Sequence, residues 1–412
     1  MKFMLVSLYG APPVANAQSY RAGKIAKYLR KLGHEVIIVT HVINKRSVFD
    51  DRLKNDMERY GDVKVIRLKP PFIPPRYRLI YALNAVGIPD NYIFFALRNF
   101  GKIRALIESN NIECILTSNT PSGHILGSFL AQRLEIKWIA DLADLWAENP
   151  YLYMPTKFHK SFQEKIERKI LRKADMITYS AETWAEILSE RFPDMPLCHI
   201  PNGYDPEEFL FVDSTANQGE VLKFCYFGTI YRNFDLGFLR AFVDFVKDNP
   251  TAKNLVKLNL IGQIAPNKHR EILDLSNGWA NIDISGQIPH FDMITEIMGS
   301  DFLIFSVGMS PAVVQYNPMP SRVPIYFGSG KPTIACCIPG SYVDSLFRRL
   351  GCWRVVDVNN IDSIRRSIED AWDLFNSTTN LKNCRFWNSS SEALQWNGII
   401  ERFEEYLHQM LQ

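Results

Sequence analysis

The sequence predicts an α/β protein of two doubly wound parallel-sheet domains, on three observations. Short apolar runs of strand length alternate with stretches of helical apolar spacing from the first residues onward. The alternation breaks once, over a polar stretch from Asp205 to Glu220, and then restarts. At 412 residues the chain is also long for one core, and two cores of similar size are the natural division.

Phe3 to Leu8 reads as a strand, and Tyr9 to Ala17 as a loop containing Gly10, Pro12 and Pro13. Ala22, Ile25, Ala26, Leu29 and Leu32 then recur at helical spacing until Gly33 stops the helix, and Glu35 to Thr40 resumes as a strand. This is a βαβ unit, which requires parallel strands. Further strands are expected at Val63 to Leu68, Glu113 to Thr117, Trp138 to Ala140, Met176 to Tyr179 and Cys198 to Ile200. The first loop reads Gly10-Ala-Pro-Pro rather than Gly-x-Gly-x-x-Gly, so the dinucleotide fingerprint is missing and a nicotinamide enzyme is disfavoured.

Beyond the polar stretch, strands are expected at Phe224 to Phe227, Leu258 to Ile261, Ile282 to Ser285, Phe302 to Phe305, Thr333 to Cys337 and Val355 to Val358. Ligands of open α/β sheets sit at the carboxyl ends of strands, which singles out Gly228-Thr229, Gly262-Gln263, Gly286-Gln287 and Pro320-Ser321-Arg322. In the last segment Ser321 suits a helix N-cap, Gly330 a helix end, and Pro332 the entry to an apolar strand. A helix N-terminus beside Arg322 suits a phosphate, because unpaired N–H groups and the positive dipole end point the same way. An ordinary helix-to-strand connection reads the same, and these residues alone leave both readings open. The chain closes with a capping box, Ser389 and Glu392, before Leu394, Trp396, Ile399, Ile400, Phe403, Tyr406 and Leu407 on one helical face.

Composition narrows the function. Apolar residues make up 47% and charged residues 22%, with net charge +3, which fits a globular protein and lends no support to nucleic-acid binding. No run approaches the roughly 20 apolar residues of a membrane span, and the start reads as a strand rather than a signal peptide, so a cytoplasmic location is expected. The seven cysteines lack framework or metal-site spacing; Cys114, Cys225, Cys336 and Cys337 read as buried thiols. Pro70 to Tyr81 mixes prolines, aromatics and arginines, and Ile93 to Arg104 reads as a basic amphipathic helix. That region fits either peripheral contact with an anionic bilayer at the inner membrane face or a packed helix with arginines at its rim.

Gly33-His-Glu-Val, Trp138-Ile-Ala-Asp-Leu-Ala-Asp-Leu-Trp146, Ile200-Pro-Asn-Gly-Tyr-Asp205 and Pro320-Ser-Arg with Gly330-Lys-Pro332, in this order, resemble a family-4 glycosyltransferase of the GT-B fold. The resemblance implies two Rossmann-like domains facing across a cleft, an acceptor-side domain at 1–204 and a nucleotide-sugar-binding domain at 205–388. It also implies a final helix, 389–412, that crosses back onto the first domain. It further implies a nucleotide-diphosphate sugar donor, transfer with retention of configuration, and no required metal or cofactor. The acceptor would be a glycan or lipid-linked hydroxyl, as in bacterial surface-polysaccharide assembly.

The expected donor-binding set is Gly10, Gly228, Thr229, Arg232, Gly262, Gln287, Pro320, Ser321 and Arg322, with no metal ligands. His124 and Asp144 are the candidate catalytic residues. A histidine at 124 suits a hydrogen bond to a sugar hydroxyl, or is a plain helix-surface histidine. Asp144 suits an acceptor hydroxyl, or is a cap. Two departures stand out. The family's paired glutamates, eight positions apart, correspond here to Asn317 and Ile325, and only Arg232 represents the basic pair after the first strand of the second domain. A lost ribose carboxylate costs about 1.5 to 3 kcal/mol, which weakens donor binding without abolishing it. These departures keep open an alternative, a catalytically silent GT-B partner or scaffold of an active transferase. A GT-B sugar-nucleotide epimerase finds little support in the motifs.

Overall fold

The computed structural model describes residues 1–42, 47–69, 89–150, 152, 154, 156–210, 220–277, 281–307, 316–377 and 389–411. The chain divides into two compact units, Met1–Asn202 with Trp396–Gln412, and Gly203–Gln395. Each is built on a wholly parallel sheet, as predicted.

In the first unit seven strands run β1 (Lys2–Ser7), β2 (Glu35–His41), β3 (Lys64–Leu68), β4 (Cys114–Ser118), β5 (Lys137–Leu142), β6 (Met176–Tyr179) and β7 (Leu197–His199), in spatial order β3-β2-β1-β4-β5-β6-β7. Helices α1 (Ala17–Lys31), α2 (Asp51–Met57), α3 (Ile93–Asn110), α4 (Pro121–Leu134), α5 (Lys157–Leu171) and α6 (Ala185–Arg191) connect them. The central strands β1 and β4 are buried on both faces, hence their near-continuous apolar runs. Strand order reverses between β1 and β4, where Phe3 pairs Cys114 and Ser7 pairs Ser118. A topological switch point of this kind leaves a crevice at the carboxyl ends.

The second unit holds α7 (Pro206–Phe209), β8 (Leu222–Phe227), α8 (Gly237–Asp248), β9 (Val256–Ile261), α9 (Pro266–Ser276), β10 (Asn281–Gly286), α10 (His290–Met298), β11 (Phe302–Ser306), α11 (Val323–Gly328), β12 (Thr333–Cys337), α12 (Tyr342–Arg349), β13 (Arg354–Asp357) and α13 (Ile361–Ser377). Its six strands follow the order β10-β9-β8-β11-β12-β13, with the switch between β8 and β11. Two apolar clusters cover its sheet, one around Phe224, Phe242 and Ile368, the other around Phe227, Phe305 and Tyr326.

The last helix, α14 (Trp396–Leu411), belongs to the first unit. Trp396, Ile399, Ile400, Phe403 and Leu407 enter the cluster formed by Phe3, Ile25, Leu29 and Ile38, as their spacing requires. The helix begins later than the Ser389 capping box suggests. Ser389–Leu394 is a 3-10 segment grouped with the second unit, and Leu394 is buried among that unit's apolar residues. The amphipathic stretch from Ile93 is a packed helix: α3 buries Phe95, Ala96, Ile103 and Ile107. Pro70 to Tyr81 and the polar residues 211–219 lie outside the described residues. Among the described residues no helix is long and apolar enough to cross a membrane.

Candidate functional site

The predicted site residues fall into two groups, one at the carboxyl end of each sheet. In the first unit β4 ends at Ser118, and Asn119 takes a left-handed backbone at φ 59°. Thr120 then caps α4 by accepting a hydrogen bond from the Gly123 N–H at 3.1 Å, and Pro121 opens the helix. A side chain at 123 would collide with that capping oxygen, so the turn needs glycine there. The same turn presents His124 as the fourth residue of the helix.

His124 is buried rather than on the helix surface. Its Nδ1 lies 2.8 Å from Thr117 Oγ1, and Thr117 Oγ1 also accepts the Trp138 Nε1–H at 2.9 Å. The Thr117 hydroxyl also lies 3.5 Å from the Ile139 carbonyl, so it either donates to Nδ1 or accepts from Nδ1–H while donating to that carbonyl. Burial pushes the histidine pKa down to about 4, so at neutral pH the ring is uncharged. Trp146 stacks beside it, with centroids 6.3 Å apart.

Asp144 follows β5 and accepts a 3.0 Å hydrogen bond from Asn119 Nδ2. It lines one small cavity with His124, Trp146, Asn119 and Tyr9. The structure therefore brings the two candidate catalytic residues together. Burial first, then the Asp90 and Asp144 charges, push the Tyr9 phenol up to about 12. Tyr9 and Asn119 were not singled out from the sequence; a loop tyrosine and an asparagine carry no signal there until the cavity forms. Gly10, also at this end, takes φ 141°, and its carbonyl accepts the Ser7 hydroxyl at 2.6 Å.

Asp141, three residues from Asp144, has a different role. It is fully buried, and Arg21 reaches it at 2.6 Å while Thr178 and Ser118 each donate at 2.8 Å. Burial alone would raise its pKa, but the Arg21 guanidinium and these hydroxyls hold it below the ordinary range. Arg21 also donates to the Ile200 carbonyl at 2.9 Å, tying α1, β5 and the chain after β7 into one network. Only the fold could reveal this pair, whose members are 120 positions apart.

In the second unit β8 is followed by Gly228, with φ 141°, and β9 by Gly262, with φ 133°. A side chain at 228 would collide with Arg322, and one at 262 with the Gly228 carbonyl, so both loops need glycine for two independent reasons. Gly228 N–H bonds to the Ile261 carbonyl and Gly262 N–H to the Gly286 carbonyl, both at 2.8 Å, which locks the three loops side by side. They line an open cavity of about 700 Å³ that includes Thr229, Arg232, Gly262 and Gln287. Gln263 donates to Gln287 at 2.7 Å along its wall. Arg232 is exposed, and its guanidinium has no ion pair among the described residues.

Arg322 is placed differently. Its Nη1 donates to the Phe227 carbonyl at 2.6 Å and its Nη2 to the Ser306 carbonyl, while the guanidinium lies over the rings of Tyr226 and Phe305 at 5.1 and 4.9 Å. It thus bridges the ends of β8 and β11 across the switch point. Ser321 does not cap α11. Arg322 occupies the N-cap position with helical φ −81° and ψ −20°, a backbone that offers no side-chain cap, and Pro320 to Val323 closes as a turn. Pro320 and Ser321 lie in that turn. Gly330, at φ 66°, follows the end of α11. At the two departing positions, Asn317 accepts the Tyr342 N–H at 2.9 Å and Ile325 is buried in the apolar cluster.

Residues 17–203 match the family model of the glycosyl transferase 4-like domain. The chain is also similar throughout to solved structures. Sucrose-phosphate synthase from Thermosynechococcus elongatus has a TM-score of 0.65 and 16% identity, covering 100% of this chain and 99% of that one. UDP-GlcNAc 2-epimerase from Neisseria meningitidis, bound to UDP-GlcNAc, has a TM-score of 0.59 and 11% identity, covering 99% and 100%. UDP-GlcNAc 2-epimerase from Methanocaldococcus jannaschii, in complex with UDP-GlcNAc and UDP, has a TM-score of 0.51 and 12% identity, covering 98% and 100%. No curated protein matches the sequence.

Proposed function

We propose, for a chain that belongs to the family-4 glycosyltransferases of the GT-B fold, that it moves a sugar from a nucleoside-diphosphate donor to a hydroxyl of a glycan or glycolipid. The observation that carries the donor half is the cavity of about 700 Å³ at the ends of β8, β9 and β10, walled by glycine turns and reached by Arg232. Glycine turns let backbone approach a ligand closely, and an exposed guanidinium without an ion pair suits a diphosphate. Neighbours in fold that hold UDP or UDP-GlcNAc make a nucleotide sugar the natural occupant.

In the first unit, the neutral His124 imidazole hydrogen-bonds a sugar hydroxyl and Asp144 accepts from the attacking acceptor hydroxyl. Catalysis works mainly by positioning and by stabilising charge on the leaving diphosphate through Arg232. Arg322 supports that site by holding the β8 and β11 ends together, and any direct contact with phosphate uses the guanidinium edge left over from its two carbonyls. Transfer retains anomeric configuration and needs no metal, in line with the family resemblance. Surface-polysaccharide or glycolipid assembly is the proposed setting.

The second reading, a silent partner of an active transferase, draws on Ile325: with its side chain in the core, it offers no acceptor for a ribose hydroxyl. Calorimetric titration with UDP, GDP, ADP, dTDP and CMP separates the two. A saturable response to one diphosphate, weakened by Arg232→Ala by about 1.5 to 3 kcal/mol, supports the transferase reading. No response from folded protein overturns it in favour of the silent partner.

A further inference from the structure

We propose that the outward face of α5 is a docking surface for an anionic lipid bilayer. The helix and the residues after it expose Lys157, Lys160, Lys165, Arg168, Lys169 and Arg172, and none of these is in an ion pair among the described residues. The carboxylates of the same stretch are withdrawn. Glu167 is fully buried against Arg191 at 2.6 Å, and Glu164 is half-buried. A protein with net charge of only +3 thus concentrates cations on one helix.

The apolar residues of α5 make the assignment to a bilayer. An amphipathic helix on a globular surface normally turns its phenylalanines inward. Here the inner face is occupied by Gln163, Glu167, Ile170 and Leu171, and Phe158 and Phe162 stand outside at 75% and 40% exposure. They are one helical turn apart, with rings nearly parallel and centroids 6.5 Å apart. The neighbouring α4 contributes Phe129 at 54% exposure, with Lys173 Nζ 5.6 Å from its ring centre. Cations alone would suit any polyanion. Projecting phenyl rings among them suit the boundary between headgroups and acyl chains, where the rings leave water and the ammonium groups meet lipid phosphates.

The surface is joined to the candidate site. Trp146, beside His124, donates its Nε1–H to Gln163 Oε1 on the inner side of α5 at 2.8 Å. The loop that carries Asp144 runs into the first turn of α5, so Lys157 and Phe158 lie at the site end of the sheet. Docking of α5 would bring the first-unit site to the headgroup layer, where a lipid-linked hydroxyl is found. The docking itself stands on the surface alone and does not depend on the transferase reading.

The test is co-sedimentation of the full chain with vesicles of phosphatidylcholine alone and of phosphatidylcholine with phosphatidylglycerol, at low and high salt. Binding is expected to the anionic vesicles only, with release at high salt. Lys165→Glu with Lys169→Glu should weaken it by about tenfold or more, since each cation near such a surface contributes appreciably. Phe158→Ser with Phe162→Ser should weaken it several-fold, and a Phe158→Trp reporter should shift to shorter emission wavelength on binding. These side chains are exposed, so circular dichroism and nucleotide titration should be unchanged in every variant. Absence of anionic-vesicle binding by the wild-type protein, equal binding by the charge-reversed variant, or a tryptophan at 158 that stays in water would each overturn the proposal. Binding of single-stranded RNA in place of vesicles would overturn it in favour of a polyanion site.

Discussion

Residues that read alike in the sequence separate by environment. Asp141 and Asp144 lie three positions apart on one strand end, yet the first is sealed against Arg21 and the second faces a cavity. Asp141→Asn should leave a buried guanidinium uncompensated and lower stability by about 3 to 5 kcal/mol in urea unfolding. A second outcome concerns pH. Burial of His124 moves its pKa from 6.5 to about 4, so between those values the unfolded chain binds more protons and stability rises with pH. Burial of Glu167, with Glu148 adding to it against the opposing Arg191, moves its pKa from 4.5 up to about 7. There the folded chain binds more protons, so its contribution falls as pH rises over that window. The two effects oppose each other where they overlap. Glu167→Gln removes the falling one, and its stability relative to wild type should increase by roughly 1 to 3 kcal/mol between pH 5 and pH 7. Denaturant midpoints measured at the two pH values check this.

At the scale of elements, strands were the most legible part of the chain. Mostly apolar runs such as Met176 to Tyr179 and Thr333 to Cys337 coincide with β6 and β12, because a strand buried on both faces needs few polar residues. Helix starts were less legible. Ser321 and Ser389 both look like caps, but at the first the Arg322 guanidinium is drawn onto carbonyls of β8 and β11. At the second, Ser389–Leu394 forms a 3-10 segment whose Leu394 packs in the second unit. Local capping chemistry is worth about 1 kcal/mol, which either kind of tertiary contact exceeds. The closing helix shows the size of such contacts. Phe403 is fully buried between α14 and the first unit's core, so Phe403→Ala should cost about 3 to 5 kcal/mol, seen as a lower urea midpoint at unchanged slope.

At the scale of the molecule, doubly wound topology gathers the candidate residues from distant positions. Gly228, Gly262 and Gly286 are neighbours because β8, β9 and β10 are neighbours in the sheet. A ligand that binds the folded chain alone raises its stability by mass action, about 2.7 kcal/mol at a concentration 100 times its dissociation constant. The matching nucleoside diphosphate should therefore raise the melting temperature, equally with EDTA and with magnesium. A rise seen only with magnesium would contradict metal-independent binding.

The sequence by itself determined the two parallel sheets, their strand positions and the glycine turns at their carboxyl ends. Those follow from short-range rules: apolar runs, βαβ handedness, and the backbone freedom that only glycine has at φ 141° and 133°. Tertiary structure alone decided what Arg322, Asp141, His124 and Ile325 do. The identities of Arg322, Asp141 and His124 are compatible with a solvent-facing ligand contact. Their roles were set by the carbonyls, guanidinium, threonine and apolar side chains that folding placed around them from far along the chain. Burial and partner choice are properties of the packed molecule, and no local pattern encodes them.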